Sequence, residues 1–489
     1  MLSLNEAAQL IPGAVVRGDG AVTFDRIGTD SRSVGAGDLF VALKGDRFDA
    51  HDFLPDVAAR GVNAVLAARL PDDWTSPALV VPDTRAALGA LARGWRRRYT
   101  MPLVAVTGSN GKTTVKEMIA SIFAAAVGEA ARLATAGNFN NDVGLPLTLM
   151  RLSGAHRLAV VELGMNHPGE TDLLAKIALP TVAVVNNAQR EHQEFMATVE
   201  AVALEHASVI HALPADGVAV FPYDDAYAGI WRTAATGNRI VDFALEDASL
   251  ASASASAPAR AAVTGVLEGN RLRVRTPVGE FEATLQALGD HNARNALAAT
   301  AAAVAANVPL EAIARGLEAF APVKGRLQTK QASVGPLAGA TVIDDTYNAN
   351  PDSMRAAIDV LAARGSPRVL VMGDMGEVGD NGPAFHREVG AYARERGIEV
   401  LFALGDAARD SCTAFDQAGS QGQASGAGAI PPRARHFDDV SQLVEHLLQA
   451  GFGASATVLV KGSRFMRMER VVDALTAQHP ASGGSPGAH

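Results

Sequence analysis

The run Val104-Ala-Val-Thr-Gly-Ser-Asn-Gly-Lys-Thr-Thr114 constrains the fold more than any other part of the chain. Its apolar start reads as a buried strand, glycines 108 and 111 permit a tight turn, and Lys112 opens a helix. A strand feeding a glycine turn and then a helix is the building unit of a parallel α/β sheet. It also lets backbone N–H groups of Gly108, Ser109, Asn110 and Gly111 close around phosphate oxygens. Lys112 adds charge near β- and γ-phosphates, and Thr113, with Thr114 beside it, offers a hydroxyl to magnesium. The strict phosphate-loop pattern places glycine at 106, where this chain has Val106. The competing reading is a plain strand-helix turn with a solvated lysine.

The surrounding rhythm supports the α/β reading. Short apolar runs at Leu103 to Val106, Leu158 to Glu162, Thr181 to Val185 and Val218 to Phe221 alternate with helix-compatible stretches. That pattern predicts a mostly parallel sheet covered on both faces. A second series, Thr341 to Asp344, Arg368 to Met372, Val400 to Leu404 and Thr457 to Val460, predicts a separate Rossmann-like domain of four strand-helix repeats. Between them lie a low-complexity stretch, Leu250 to Ala262, read as a surface loop, and antiparallel strands within Val263 to Leu285. Two helices, about 291–306 and 310–319, lead to a hinge at Pro322-Val-Lys-Gly325. The chain of 489 residues has room for roughly three domains. The predicted division is a small α/β N-terminal domain over 1–100, a phosphate-loop domain over 101–323, a Rossmann-like domain over 324–477, and a disordered tail over 478–489.

Polar groups gather where the predicted strands end, the edge at which open α/β sheets bind ligands. Glu162 closes a buried strand and is either a magnesium-directed carboxylate or the partner of a nearby cation. His192, in the loop after Val184-Val-Asn-Asn187, is either a metal ligand or a surface histidine. The amides of Asn138, Asn140 and Asn141 either stabilise their turn or meet a polar substrate. Asp344-Asp-Thr-Tyr-Asn-Ala-Asn-Pro351 and Lys461-Gly-Ser-Arg464 add carboxylates, amides and two cations suited to an anionic ligand.

Composition excludes several classes. The 43 basic and 52 acidic residues give a net charge of −9, which does not favour nucleic acid. A single cysteine, Cys412, rules out an intramolecular disulfide and a cysteine zinc site, and fits a reducing compartment. No run reaches the length of a membrane span, and the N-terminus lacks the basic start of a signal peptide. The expectation is a cytoplasmic monomer with no stable membrane insertion.

Together these segments resemble the Mur ligase family of ATP-dependent amide ligases, in order and over nearly the whole chain. The resemblance is carried by Thr29-Asp-Ser-Arg32, Asp38 to Asp46, Thr107 to Thr114, Asn138 to Gly144, Glu162-Leu-Gly164, Asn186-Asn187, His192, His291 to Ala298, Gly325-Arg-Leu-Gln328, Asp344 to Pro351, Gly373 to Glu377 and Lys461 to Arg464. The family's own loop lacks the first glycine, so Val106 fits it. The subfamily most similar joins D-alanyl-D-alanine to a UDP-N-acetylmuramoyl-tripeptide through an acyl phosphate. The resemblance implies ATP and Mg2+ as cofactors, with Thr113, Glu162 and His192 as magnesium ligands. Lys112, Glu162 and His192 then form the catalytic set. Asn292 and Asn295 face the adenine, Arg326 the phosphates and Asp345 the ribose. Substrate contacts fall to Ser31, Arg32, Lys44, Asn138, Asn140, Asn141, Tyr347, Asn348, Asn350, Lys461 and Arg464.

The chain departs from the family at one place. A carbamylated lysine is usual a little after the His192 position, and here that place falls on His206. No lysine lies between Lys176 and Lys324. The carboxylate it would carry must come from another residue, and Glu205 is one candidate. The rival readings are the sister ligase that adds the third amino acid, a folylpolyglutamate synthetase and, in another class, a non-catalytic nucleotide-binding regulator.

Overall fold

The computed structural model of the chain describes residues 2–45, 47–191, 193–247, 260–419 and 433–477. His192, the expected loop from Leu250 through residue 259, and the tail from 478 lie outside them.

A six-stranded parallel sheet forms the middle of the molecule. Its order is Arg239–Ile240, Val218–Val220, Val182–Val185, Leu103–Thr107, Leu158–Glu162, Arg132–Ala134. The strand that feeds the glycine turn sits centrally, with later strands added on both sides of it. This is the switch point at which doubly wound sheets open a crevice. The strands are apolar throughout because both faces are covered. Leu103 and Ala105 face one apolar cluster, whereas Val104 and Val106 face another. The second face is covered by Lys112–Val127, Asp290–Ala305 and Leu310–Ala319. Gly316 permits the close approach of the last helix, since a Cβ there would lie 2.3 Å from Ile122 Cα. Ser121 Oγ accordingly donates to Gly316 O at 2.7 Å.

The N-terminal region holds a five-stranded sheet ordered Val15–Arg17, Ala78–Val80, Ala64–Ala67, Asp38–Val41, Arg26–Gly28. Its apolar core runs without a break into the outer face of the central sheet, from Leu4 and Leu88 to Ala105 and Val161. Trp95 pins the junction by donating from Nε1 to Leu152 O at 3.1 Å. Phe243–Glu246, Val263–Glu268, Arg271–Thr276 and Gly279–Thr284 form a four-stranded sheet, antiparallel from Val263 onward as expected.

The C-terminal sheet has six strands where the pattern predicts four. Its order is Gln328–Gln331, Thr341–Asp345, Thr457–Lys461, Arg368–Gly373, Val400–Leu404, Arg433–Phe437, with only the first pair antiparallel. The two unforeseen strands are its edges. The same holds for Arg132–Ala134, Arg239–Ile240 and Val15–Arg17, which are two or three residues long. Edge strands bury less, so their apolar signal is weak. The molecule is α/β, as the strand-helix rhythm predicts, and none of its described helices is long and apolar enough to cross a membrane.

Candidate active site

A cavity of about 1040 Å³ opens where the carboxyl edges of the central and C-terminal sheets face each other. Its floor is the glycine turn. Gly108 and Gly111 adopt φ of 134° and 80°, and a Cβ at 111 would lie 2.4 Å from Asn295 Oδ1. Only glycine suits that position. The turn rests on the loop 186–191. Ser109 N donates to Asn187 O at 3.1 Å, and Asn110 N to Asn187 Oδ1 at 2.8 Å. This corrects one expectation: those two amides are committed to the protein. The N–H groups left for an anion belong to the first turn of the helix that starts at Lys112, where no intrahelical acceptor exists.

Glu162 ends the neighbouring strand and is 2% exposed. Its Oε1 accepts from Thr113 Oγ1 at 3.1 Å and from Asn140 Nδ2 at 2.8 Å. Its Oε2 is buried with no hydrogen-bond partner among the described residues. A buried carboxylate oxygen without a partner, beside a threonine hydroxyl, is a donor set of hard oxygens that suits magnesium. Asn140, expected on the substrate, thus spends part of its amide orienting Glu162. Asn141 Oδ1 accepts from Gly144 N at 2.8 Å and so holds the turn.

Lys112 Nζ donates to Gly108 O, to Ser109 O at 3.1 Å and to Glu191 Oε2 at 3.1 Å. Glu191 is itself buried, and its Oε1 lies 3.5 Å from Nε2 of the fully buried His206. His206 Nδ1 meets Thr107 Oγ1 at 3.0 Å. Burial holds the His206 pKa below the ordinary histidine value. Glu205, by contrast, accepts from Gly169 N and Thr171 N at 2.9 and 2.8 Å. Both its oxygens serve the start of the helix Glu170–Ala178, which removes the expected reason to place it on a metal.

The far wall belongs to the C-terminal region. Arg326 Nη2 donates to Thr113 Oγ1 at 2.9 Å, and its guanidinium stacks 4.1 Å from the Tyr347 ring. Asn350 Nδ2 donates to Asn110 Oδ1 at 2.9 Å while its Oδ1 caps the helix Pro351–Ala362 through Ser353 N. Both ends of that amide are therefore committed, contrary to a role on substrate. Asp345 accepts from Leu327 N at 3.2 Å and pairs with Lys461 Nζ at 2.7 Å. Lys461 also donates to Asn348 O at 2.8 Å. Buried Asn292 and Asn295 join each other, and Asn186 Nδ2 donates to Asn295 Oδ1 at 2.9 Å.

Arg190 clamps the two sheet edges together. Its guanidinium lies 2.5 Å from Asp352 and 2.6 Å from Glu388, and its own N–H donates to Asp352. Those hydrogen bonds, Glu388 first, raise the Arg190 pKa further and strengthen its hold on the proton. No local pattern marks this residue, because its partners are 162 and 198 positions away.

Most predicted residues therefore meet in one cavity, including Ser109 to Thr114, Asn140, Asn141, Glu162, Asn292, Asn295, Arg326, Asp345, Tyr347, Asn348, Asn350 and Lys461. Ser31, Arg32, Lys44, Asn138 and Arg464 do not line it. Arg32 pairs with Asp30 at 2.8 Å on the N-terminal surface. Arg464 is not joined with Lys461 as a cation pair; it turns to Glu469 at 3.2 Å. Cys412 plays no part, since burial pushes its thiol up to about 12.

Comparisons with known proteins agree in all parts of the chain. Residues 23–96 match the model of the Mur ligase family catalytic domain, 106–303 that of the Mur ligase middle domain, and 325–464 that of the Mur ligase glutamate ligase domain. The UDP-N-acetylmuramoyl-tripeptide–D-alanyl-D-alanine ligase of Haemophilus influenzae is 37% identical over 480 residues, which cover 97% of this chain and 98% of that protein. The crystal structure of MurF from Acinetobacter baumannii superposes with a TM-score of 0.84 at 34% identity, covering 97% of this chain and 99% of that one. MurF ligase from Thermotoga maritima, solved in complex with ADP, shares the fold at a TM-score of 0.75 and 23% identity, over 93% and 97% of the two chains. By sequence over nearly its full length and by fold, this chain belongs to the Mur ligase family.

Proposed function

We propose that the protein joins D-alanyl-D-alanine to UDP-N-acetylmuramoyl-tripeptide in an ATP-dependent reaction that yields ADP and phosphate, a step of peptidoglycan precursor synthesis. The observation that carries this reading is the convergence of Lys112, Glu162 and Arg326 on one cavity between two sheet edges. The relatedness to ligases of that name supports it over the sister ligase, the folate enzyme and an idle nucleotide binder.

Amide formation from a carboxylate requires loss of an oxide, a very poor leaving group. The tripeptide's terminal carboxylate oxygen attacks the γ-phosphorus, the bond to the ADP oxygen breaks, and an acyl phosphate results. The dipeptide amine attacks the acyl carbon, gives up a proton, and phosphate leaves. Lys112 turns from its loop carbonyls toward the β- and γ-phosphates, where it offsets the charge that grows during transfer. Arg326 reaches the same point from the other sheet. The first-turn N–H groups after Gly111 orient the phosphates, and buried Asn292 and Asn295 bound the adenine. Thr113, Glu162 and His192 are the residues that would hold magnesium, which would supply further neutralisation of the phosphate oxygens. Asp345 lies toward the ribose, and Tyr347, Asn348 and Lys461 toward the dipeptide.

Ser31, Arg32 and Lys44 stand apart on the N-terminal region because the uridine end of a long substrate binds there. In this division, residues 1–100 hold the uridine tag, 101–323 the ATP and 324–477 the dipeptide. Holding three reactants in line supplies much of the rate. The closed edge excludes water from the acyl phosphate. The protein works as a cytoplasmic monomer. Phosphate release from ATP tests the reading: it should require the UDP-muramoyl tripeptide and D-alanyl-D-alanine together. Equal release with a single diamino acid in place of the dipeptide would transfer the protein to the sister activity.

A further inference from the structure

Glu191 ends the loop that supports the glycine turn, and it lines the same cavity as Thr113 and Glu162. A carboxylate as buried as this one needs compensation from close partners. It has Lys112 on one oxygen at 3.1 Å and the His206 ring facing the other at 3.5 Å. The ring is held in turn by Thr107, the last residue of the strand that leads into the turn. The other ring nitrogen, Nε2, is the atom that faces Glu191 Oε1. Thr107, His206 and Glu191 thus form a buried column beneath the phosphate loop.

The column matters once Lys112 is drawn to the nucleotide phosphates. Glu191 and Glu162 would then face a triphosphate and a substrate carboxylate, four anionic groups in one crevice. A hard divalent cation resolves that repulsion, and carboxylate oxygens are its preferred ligands. We propose that Glu191, positioned by His206, is a metal-directed carboxylate of this site and supplies in this chain what a carbamylated lysine at position 206 would supply. The assignment rests on the nucleotide-site reading above. It replaces Glu205, whose oxygens are taken by Gly169 and Thr171.

Mn2+ titrated into the full-length protein with ADP, and followed by electron paramagnetic resonance, tests the assignment. Glu191→Gln should weaken Mn2+ binding by about 10- to 100-fold, and His206→Ala should weaken it within that range, as loss of a supporting partner does. ADP affinity without metal should not fall in either variant, which separates loss of a ligand from loss of the loop. Wild-type Mn2+ binding should be the same in bicarbonate-free buffer and in buffer with added bicarbonate. Mn2+ affinity within twofold of wild type in Glu191→Gln, or wild-type binding that rises with bicarbonate, would overturn the assignment. Failure of the wild type to bind ADP with Mn2+ under any condition would instead overturn the nucleotide-site reading.

Discussion

The two sheets that flank the cavity use the same architecture to opposite ends. Each places an acid at the tip of a buried strand next to a strand-end partner, Glu162 in one and Asp345 in the other. Asp345 is answered within the protein, by Lys461 at 2.7 Å and by Leu327 N. Glu162 accepts two hydrogen bonds on one oxygen and keeps the other without a partner among the described residues. A satisfied acid stiffens an edge, whereas an incompletely satisfied one holds free energy in reserve for a ligand. Asp345 therefore braces the C-terminal edge, while Glu162 keeps an oxygen for a ligand on the central one.

The sharpest way to break this contrast is Lys461→Met. Leaving Asp345 buried and unpaired should cost about 3–5 kcal/mol of stability in denaturant unfolding. A variant of unchanged stability would show that this pair does not brace the C-terminal edge. Glu162→Gln should do the reverse. The amide keeps an oxygen for Thr113 and Asn140, so the melting temperature should hold, while the magnesium needed for half-maximal phosphate release rises at least about 100-fold. Arg190→Ala removes the clamp between the edges, leaving Asp352 and Glu388 without it. We expect a loss of about 2–3 kcal/mol in kcat/KM, the scale for a hydrogen bond to a charged group. Small-angle scattering should show a larger radius of gyration for that variant than for wild type without nucleotide. Arg464→Ala should change stability by less than about 0.5 kcal/mol, because its pair with Glu469 is exposed.

What the sequence made legible follows from locality. The glycine turn, Glu162 and the two strand series announce themselves within short windows, since strand, turn and helix signals are set by neighbours. The edge strands were not legible because they bury too little to be written as apolar runs. Long-range partnerships were hidden for a different reason. Asn140 on Glu162, Glu191 between Lys112 and His206, and Arg190 across to Glu388 join residues from 15 to 198 positions apart. Asn350 and Arg464 show the limit of residue type: it marks them as able to bind anions or amides, but only geometry shows the helix end and the Glu469 carboxylate that they also serve.

The placement of Thr457–Lys461 has a consequence for how the molecule is made. This strand lies inside the C-terminal sheet, paired with Thr341–Asp345 on one side and Arg368–Gly373 on the other. Those two neighbours cannot meet until it arrives between them. On the ribosome, the phosphate loop and its supporting sheet emerge and can fold long before that happens. Synthesis must pass residue 461 before the wall opposite them exists, so a nascent chain stalled upstream would expose the nucleotide crevice with nothing to close it.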